Sequence, residues 1–484
     1  MIKMKIRLIQ PNLDEKHENQ RQAYGSANRP PETGLAVLSS WISAYSPNEH
    51  RIRVINPNRS VEDIMRDASE SEILGLTDWF SNHDNCVMIA RESKRINPKL
   101  KVVFGGPNAS MMPSLLLTNH HCIDFVVSRD GEDALLGLVD NKPIETIPNL
   151  WHRDEGKIRF THQSYTDLKE MPLWDFSFHD DTNTRLREYL EAQNSGLDPW
   201  LVPPLTLFSF RGCIKAIKEG ICSYCTSAEE KGRALPPEKL WEQAKHLNKL
   251  YGAEIFYMCD DIFPISQRRV QQIADAKPED ARARIRVYGY LPDMADLSTQ
   301  DLENMAENLQ RIGVFNLFFG SENYDPSILR RMNKRGTSID ETRRVVKTIY
   351  DVGGIKTTIA YVLGLPGETK ETLETNLRTL SQLTSIDGNI ERLYLSVGMP
   401  LIGTAWYNSL LQNQQLTEEY RKETGRSLVE DDSPDYNLLL KLSIKHTTSV
   451  TPSDINSYIK KFTEVAISKM PDYRIGGFLL DLGE

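Results

Sequence analysis

Short apolar runs rich in β-branched and aromatic residues alternate with stretches of helical period along most of this chain, and that alternation admits few folds. In the first part, strand-like runs fall at 5–10, 51–55, 73–77, 101–104 and 125–127, with helical periods at 33–44, 61–68 and near 85–96. Parallel strands need a crossover between them, so this succession predicts a parallel sheet with helices on both faces, an α/β doubly wound domain of Rossmann or flavodoxin-like type. Such sheets bind ligands beyond the carboxyl ends of their strands. Those ends carry Gly105-Gly106-Pro107-Asn108 and Arg129-Asp130-Gly131-Glu132-Asp133. A glycine pair lets a bulky ligand approach the backbone, although a plain turn uses it equally well.

The alternation stops between 149 and 204. A hairpin is expected around Glu155-Gly156, and the Pro- and Trp-rich remainder, through Trp200 to Pro204, reads as a connector whose aromatic residues could equally line a substrate cavity. From 205 to 404 the alternation resumes, with strands at 205–210, 254–258, 285–290, 314–320, 357–363 and 391–397. Six strands in series predict a partial (β/α)6 barrel of TIM type with its site at the strands' carboxyl ends. Beyond 405 the chain is helical and polar, and Thr451-Pro452-Ser453-Asp454 opens an amphipathic helix to about 469, a packing helix rather than a lid. The expected domains are 1–148, 149–204 as connector, 205–404 and 405–484.

Three of the six cysteines lie just past the first strand of the second block: Cys213, then Cys222-Ser223-Tyr224-Cys225. Three thiols on the loop where a βα unit exposes its chemistry make a metal site. A four-iron cluster held by three thiolates leaves one iron open to a substrate or cofactor, whereas a structural zinc calls for a fourth Cys or His. His246 lies too far along the next helix to serve. Cys86, Cys122 and Cys259 read as small buried hydrophobes.

Cysteines this sparse fit a reducing cytoplasm better than a disulfide framework. With 58 basic and 67 acidic residues, a net charge of −9, a nucleic-acid partner held by a basic surface is not expected. Nor is a membrane partner, since no apolar stretch approaches the roughly 20 residues that span a bilayer. The charged start, residues 1–7, contains no apolar signal core.

The Cys222-Ser223-Tyr224-Cys225 ending resembles the radical S-adenosylmethionine (SAM) superfamily. The resemblance implies a [4Fe-4S] cluster on Cys213, Cys222 and Cys225, with SAM on the open iron and Tyr224 beside its adenine. The usual spacing there leaves three residues between the first two cysteines; this chain has eight, 214–221. A longer loop can still close, because closure entropy grows slowly with length. Downstream, Gly320-Ser321-Glu322, Leu329-Arg330-Arg331-Met332-Asn333-Lys334, Gly364-Leu365-Pro366-Gly367-Glu368-Thr369 and Pro400-Leu401-Ile402-Gly403-Thr404 are similar, in order, to motifs of the cobalamin-binding branch. That likeness implies SAM contacts from Asp260, Asp261, Glu322 and Gly364. For Asp261 and Glu322, capping of the following helices is the alternative.

Pro30-Pro31-Glu32-Thr33-Gly34, Phe104-Gly105-Gly106-Pro107 and Asp130-Gly131-Glu132 resemble the cobalamin-binding domain that precedes many radical SAM barrels. The resemblance implies that Asn12, Thr77, Gly105, Gly106, Pro107, Gly131 and Glu132 line cobalamin. The Asp-x-His-x-x-Gly motif that puts a histidine on cobalt is absent, and His17, in Asp14-Glu15-Lys16-His17-Glu18-Asn19, has neither its spacing nor its glycine. Cobalamin is therefore expected without a protein histidine on cobalt, and His83, His120 and His121 are not assigned to it.

The family likeness implies a cobalamin-dependent C-methyltransferase acting on an unactivated carbon through a 5′-deoxyadenosyl radical and methylcobalamin. Its partners would be a small-molecule or peptide substrate and an external electron donor of flavodoxin or ferredoxin type. A cyclase or ring rearrangement with the same cofactors is the alternative within enzymes. A degenerate cobalamin- or metal-binding sensor would not need an open iron, and the second cysteine triad of methylthiotransferases is missing from the N-terminal region.

Overall fold

The computed structural model describes residues 4–14, 32–180, 191, 205–226, 229, 231–263, 265–383 and 389–469. His17, Pro30, Pro31 and the Trp200–Pro204 stretch lie outside the described residues. The chain divides into two compact units, Met1–Leu205 with Glu430–Ser433, and Thr206–Val429 with Pro434–Glu484.

The first unit is built on a seven-stranded sheet of β1 Lys5–Ile9, β2 Arg51–Val54, β3 Ile73–Thr77, β4 Lys101–Gly105, β5 Phe125–Val127, β6 Leu150–Asp154 and β7 Lys157–Phe160, in the order β2-β1-β3-β4-β5-β6-β7. The first five strands pair in parallel, and the order 2-1-3-4-5 is the flavodoxin-like winding. Helices cover both faces, which is why β3 is buried from Ile73 to Leu76 without alternation. On one side the helices Thr33–Tyr45 and Glu132–Val139 bring Leu35, Ile42, Leu135 and Leu138 against Ile6, Leu8 and Val103. The expected hairpin forms: Glu155 at φ 47 and Gly156 at φ 75 supply the two left-handed residues of a tight turn between β6 and β7. It does more than connect, because β6 pairs antiparallel with β5 and so extends the sheet.

The second unit holds a six-stranded sheet in the order β15-β14-β13-β12-β11-β8, from β8 Leu205–Leu207, β11 Ile255–Met258, β12 Arg284–Gly289, β13 Val314–Glu322, β14 Lys356–Leu363 and β15 Ile390–Val397. Spatial order follows chain order, and β11 to β15 pair in parallel, as successive βα units of a partial barrel require. One face carries Phe256, Met258, Val287, Leu317, Phe319, Ile359 and Leu393, all fully buried. The helix Pro452–Lys469, started by Thr451 and Asp454 bonding each other's amides, packs Ile455, Phe462 and Ala466 against Tyr361, Leu363 and Leu395 and is a packing helix. Unforeseen in the sequence is a two-stranded ribbon of β9 Phe210–Arg211 and β10 Arg233–Ala234. Among the described residues, no helix is long and apolar enough to cross a membrane.

Candidate cofactor sites

All three motif cysteines lie on one excursion, 212–232, whose ends are tied by the ribbon, Arg211 opposite Arg233 and Phe210 opposite Ala234. Gly212 leads out of β9 at φ 103, where a Cβ would lie 2.5 Å from Lys231 O, so only glycine fits. Cys213 caps the helix Ile214–Glu219 and donates its amide to Glu229 O. Burial pushes its thiol up to about 11, although the amides of Ala216 and Lys215 point at the sulfur and favour the thiolate. Bound iron would reverse that balance, since a coordinating thiol is deprotonated outright.

The eight-residue spacing has a structural answer. Residues 214–219 fold into a short helix that Gly220 closes at φ 80, so the additional chain is wound up rather than looped out. Lys215, 2% exposed, runs beneath it and donates to Gly220 O at 2.7 Å and to Asn333 O. Asn333 Nδ2 in turn donates to Ile221 O at 2.9 Å and Glu219 O at 3.4 Å. The Leu329–Lys334 motif thus pins the insertion from below. Cys225 N closes a turn onto Cys222 O, and Ser223 N bonds Met332 O.

A single zinc would draw its sulfurs to within about 3.8 Å of one another, given bonds near 2.3 Å. Among the described residues, the set of three ligating groups gathered within 4.8 Å does not include these cysteines. A [4Fe-4S] cluster places each thiolate on a different iron and so does not need the three sulfurs gathered that closely.

Beside the excursion stands a triad. Glu322 ends β13 at φ 60, a left-handed conformation that costs a non-glycine residue of order 1–3 kcal/mol and gathers at functional positions. The register shift between Gly320 and Glu322 turns the carboxylate, and a Cβ at Gly320 would sit 2.5 Å from Glu322 Oε1. That explains the glycine of Gly320-Ser321-Glu322. Glu322 Oε1 accepts from Lys334 Nζ at 2.7 Å and from Tyr224 OH at 3.3 Å. Burial, reinforced by Glu322, holds the Tyr224 phenol well above its usual value, so it stays a donor. Neither acid caps the following helix: Ser266 caps Gln267–Asp275 and Asp325 caps Pro326–Arg331.

Asp260 is 1% exposed, and its carboxylate accepts from Ser209 N, Ser209 Oγ and Phe210 N, so both oxygens fix the strand end that leads to Cys213. Asp261, the next residue and exposed, lies close enough to raise the Cys213 thiol further. Gly364, at φ 79, spends its amide on Glu368 Oε2 at 2.7 Å. Cys86 is buried as expected, whereas Cys122 is half-buried and Cys259 exposed.

The other face of the six-stranded sheet is half-buried and aromatic. Tyr257, Tyr288, Phe318 and Tyr394 run across it edge to face, centroids 5.4, 4.7 and 5.6 Å apart, with Arg286 over Tyr257. β14 contributes only Thr358 and Ala360 to this row, which lets Phe318 reach Tyr394 across it. The sequence shows these residues but not the row, because it is made by register between strands.

In the first unit, the carboxyl edge of the parallel sheet carries Thr77, Gly105 and the half-buried Ser128, whose buried Oγ has no hydrogen-bond partner among the described residues. A Cβ at Gly105 would meet nothing nearer than Val127 O at 4.0 Å, so the backbone there is open to the approach of a ligand. Gly106 is glycine for another reason than ligand approach: at φ 99 a Cβ would be 2.8 Å from Asp78 O. Pro107 starts the following helix. Gly131 is half-buried, with Leu38 3.4 Å from where a Cβ would stand, and the buried Glu132, 3% exposed, accepts from Thr166 Oγ1. Asn12 donates to Pro57 O at 2.8 Å.

Residues 208–380 match the radical SAM superfamily, and residues 29–139 match the B12 binding domain. An uncharacterized methyltransferase of Pyrococcus horikoshii is 24% identical over 416 residues, 81% of this chain and 82% of that protein. An anaerobic magnesium-protoporphyrin IX monomethyl ester cyclase of Rubrivivax gelatinosus is 23% identical over 391 residues, 77% of this chain and 64% of its own. Among solved structures, the cobalamin-dependent SAM radical enzyme OxsB with aqua-cobalamin and SAM bound has a TM-score of 0.70 at 16% identity, covering 95% of this chain and 66% of that one. The radical SAM methyltransferase TsrM of Kitasatospora setae, with cobalamin and a [4Fe-4S] cluster, scores 0.64 at 16% identity, covering 85% and 75%. With the two domains in this order on a flavodoxin-like sheet and a partial barrel, the chain belongs to the cobalamin-binding radical SAM enzymes, whose cofactors are a [4Fe-4S] cluster, SAM and cobalamin.

Proposed function

We propose that this chain is a C-methyltransferase acting on an unactivated carbon of a small molecule or peptide, supplied with electrons by an external flavodoxin- or ferredoxin-type donor. The observation that carries the reading is the cysteine excursion with Glu322, Lys334 and Tyr224 beside it: a three-thiol cluster site with a strained carboxylate at hand to receive a cationic cofactor. A methyltransferase relative over four-fifths of the chain supports methyl transfer as the outcome. When bound, the cluster with SAM supplies radical chemistry and cobalamin a methyl group, which acid–base residues cannot deliver to an inert C–H bond.

The chain's own residues bind and orient. Glu322 would hold the SAM ammonium by a charge-assisted bond, roughly twice as strong as a neutral one, in exchange for its present bond to Lys334, which would then be free to meet the SAM carboxylate. Tyr224 would bound the adenine side of that site. The row from Tyr257 to Tyr394 keeps water from the barrel face and gives the substrate an apolar wall.

Turnover with SAM deuterated in its methyl group tests this. The expected result is labelled product with one 5′-deoxyadenosine and one S-adenosylhomocysteine per turnover. The cyclase relative favours a second reading, ring formation. A rearranged, unlabelled product with 5′-deoxyadenosine and no S-adenosylhomocysteine would select it and overturn the first.

A further inference from the structure

Apart from the cysteines, the first unit contains a second set of metal-binding groups. His83 opens the helix His83–Ile96, His120 follows the helix Pro113–Asn119, and Asp432 comes from the segment 430–433, which belongs to the same unit. One ligating atom from each lies within 4.8 Å of the other two, and among the described residues no other such trio occurs. We infer that His83, His120 and Asp432 hold a divalent first-row transition ion, zinc in the first instance, in a three-ligand site with one position open.

The geometry has the parts such a site needs. His83 is 1% exposed, and its Nδ1 lies 3.0 Å from Asp78 Oδ1. Asp78, itself fully buried, also accepts from Asn108 Nδ2 at 3.1 Å, which fixes the carboxylate. A carboxylate on one ring nitrogen orients a metal-binding histidine and makes its other nitrogen the lone-pair donor. That other nitrogen, His83 Nε2, is buried with no hydrogen-bond partner among the described residues. An orphaned imidazole nitrogen in a polar pocket is costly unless a ligand takes it.

The other two groups already face each other, His120 Nε2 and Asp432 Oδ2 at 2.5 Å. Their side chains are 15% and 12% exposed, enough for an ion to enter. A tetrahedral ion with bonds near 2.0–2.1 Å needs ligand atoms about 3.4 Å apart, so the His120–Asp432 pair must part by about 1 Å, and all three atoms already lie within 4.8 Å of one another. Two imidazoles and one carboxylate suit zinc or ferrous iron rather than calcium or magnesium. Bonds from Asn119 Nδ2 to Glu430 O at 3.0 Å and from Ser433 Oγ to Asp84 Oδ1 hold the segment in place around Asp432. The ion would staple residues 430–433 to two helices of the N-terminal sheet, a bond between positions more than three hundred apart in the chain.

The test uses the full-length chain purified anaerobically with its cluster and cobalamin, freed of loose metal by chelator, and assayed for zinc and iron by plasma mass spectrometry. Wild type and the Cys213→Ala/Cys222→Ala/Cys225→Ala variant should each retain a single zinc, or one iron that the cysteine variant does not lose. His120→Ala/Asp432→Asn should lose it while keeping the cluster iron. X-ray absorption, at the zinc edge in wild type or, where the retained metal is iron, at the iron edge in the cysteine variant that lacks the cluster, adds a second readout: only nitrogen and oxygen neighbours near 2.0–2.1 Å, without sulfur near 2.3 Å. Absence of any metal beyond the cluster and cobalamin, sulfur in the first coordination sphere, or full retention in the double variant would overturn the inference.

Discussion

Asp260→Ala should unfasten the cysteine excursion from the strand that carries it. The Asp260 carboxylate accepts from Ser209 N at 2.7 Å, Ser209 Oγ at 2.5 Å and Phe210 N at 3.1 Å, while Arg269 donates to Ser209 O at 3.4 Å and to Leu235 O. Gly212 and Cys213 follow at once. Truncation leaves three buried donors unpaired, at about 1–3 kcal/mol each; with water entering the vacated space the low end applies, about 3 kcal/mol in total. That is roughly a hundredfold in local opening, at about 1.4 kcal/mol per tenfold. Asp260→Asn keeps the shape and one acceptor, so its cost is about 1 kcal/mol. Hydrogen exchange of the peptide covering 205–211, read by mass spectrometry beside iron content, is the assay. Protection should fall about a hundredfold in the Ala variant and less than tenfold in the Asn variant, with iron lost in the first. Wild-type protection and full iron in Asp260→Ala would refute the reasoning. A pH dependence follows as well. Burial raises Asp260 from 3.8 to about 7 against the pull of its Ser209 and Phe210 donors. The folded chain then keeps a proton the unfolded chain has lost, so this group's contribution to stability falls as pH rises from about 4 to about 7. Roughly three pH units at 1.36 kcal/mol each bounds the effect at about 4 kcal/mol. The stability of wild type relative to Asp260→Asn should shrink across that window.

Three further outcomes can be measured directly. Asn333→Gly tolerates the φ of 49 but drops the bonds to Glu219 O and Ile221 O, so the cluster should be stripped by chelator several-fold faster, consistent with a loss of about 1–2 kcal/mol; an unchanged rate would show that the insertion holds itself. Glu322→Gln should weaken SAM binding about tenfold in equilibrium dialysis, because a charge-assisted bond becomes a neutral one, and wild-type affinity would remove Glu322 as the acceptor. Gly106→Ala places a Cβ 2.8 Å from Asp78 O at φ 99 and should destabilise the N-terminal unit by about 1–3 kcal/mol, seen as a lower melting temperature of its transition.

The strands of both sheets are legible in the sequence because parallel strands covered on two faces must be apolar runs, and five of the barrel strands match their runs to within a residue or two at each end. What the sequence hides is whatever depends on pairing across the chain. The hairpin turn can be read from Glu155-Gly156, but not that β6 would find β5. Two-residue strands such as β9 and β10 have no period at all, yet their pairing closes the cysteine excursion. Asp260 and Asp261 look alike as acids just beyond a strand end, and only the fold says that Asp260 is the one turned inward. The same holds for His83, His120 and Asp432, three unremarkable residues until a distant segment comes back to the N-terminal sheet.

The long Cys213–Cys222 spacing, the chief departure from the family pattern, is resolved by the same kind of reasoning. Six of the inserted residues are too few to show a helical period, and an isolated helix of that length is not stable in water. It persists because Lys215 is driven under it to two carbonyls and Asn333, itself left-handed at φ 49, reaches back to two more. Asn333 Nδ2 donates to Glu219 O, one of the carbonyls that a short helix leaves orphaned at its C-terminal end, and to Ile221 O just beyond its Gly220 cap. Lys334, the next residue, binds Glu322 and approaches Tyr224. One short segment therefore sets both the shape of the cysteine loop and the Glu322 carboxylate beside it, so the spacing can lengthen while the loop and Glu322 stay tied to the same residues.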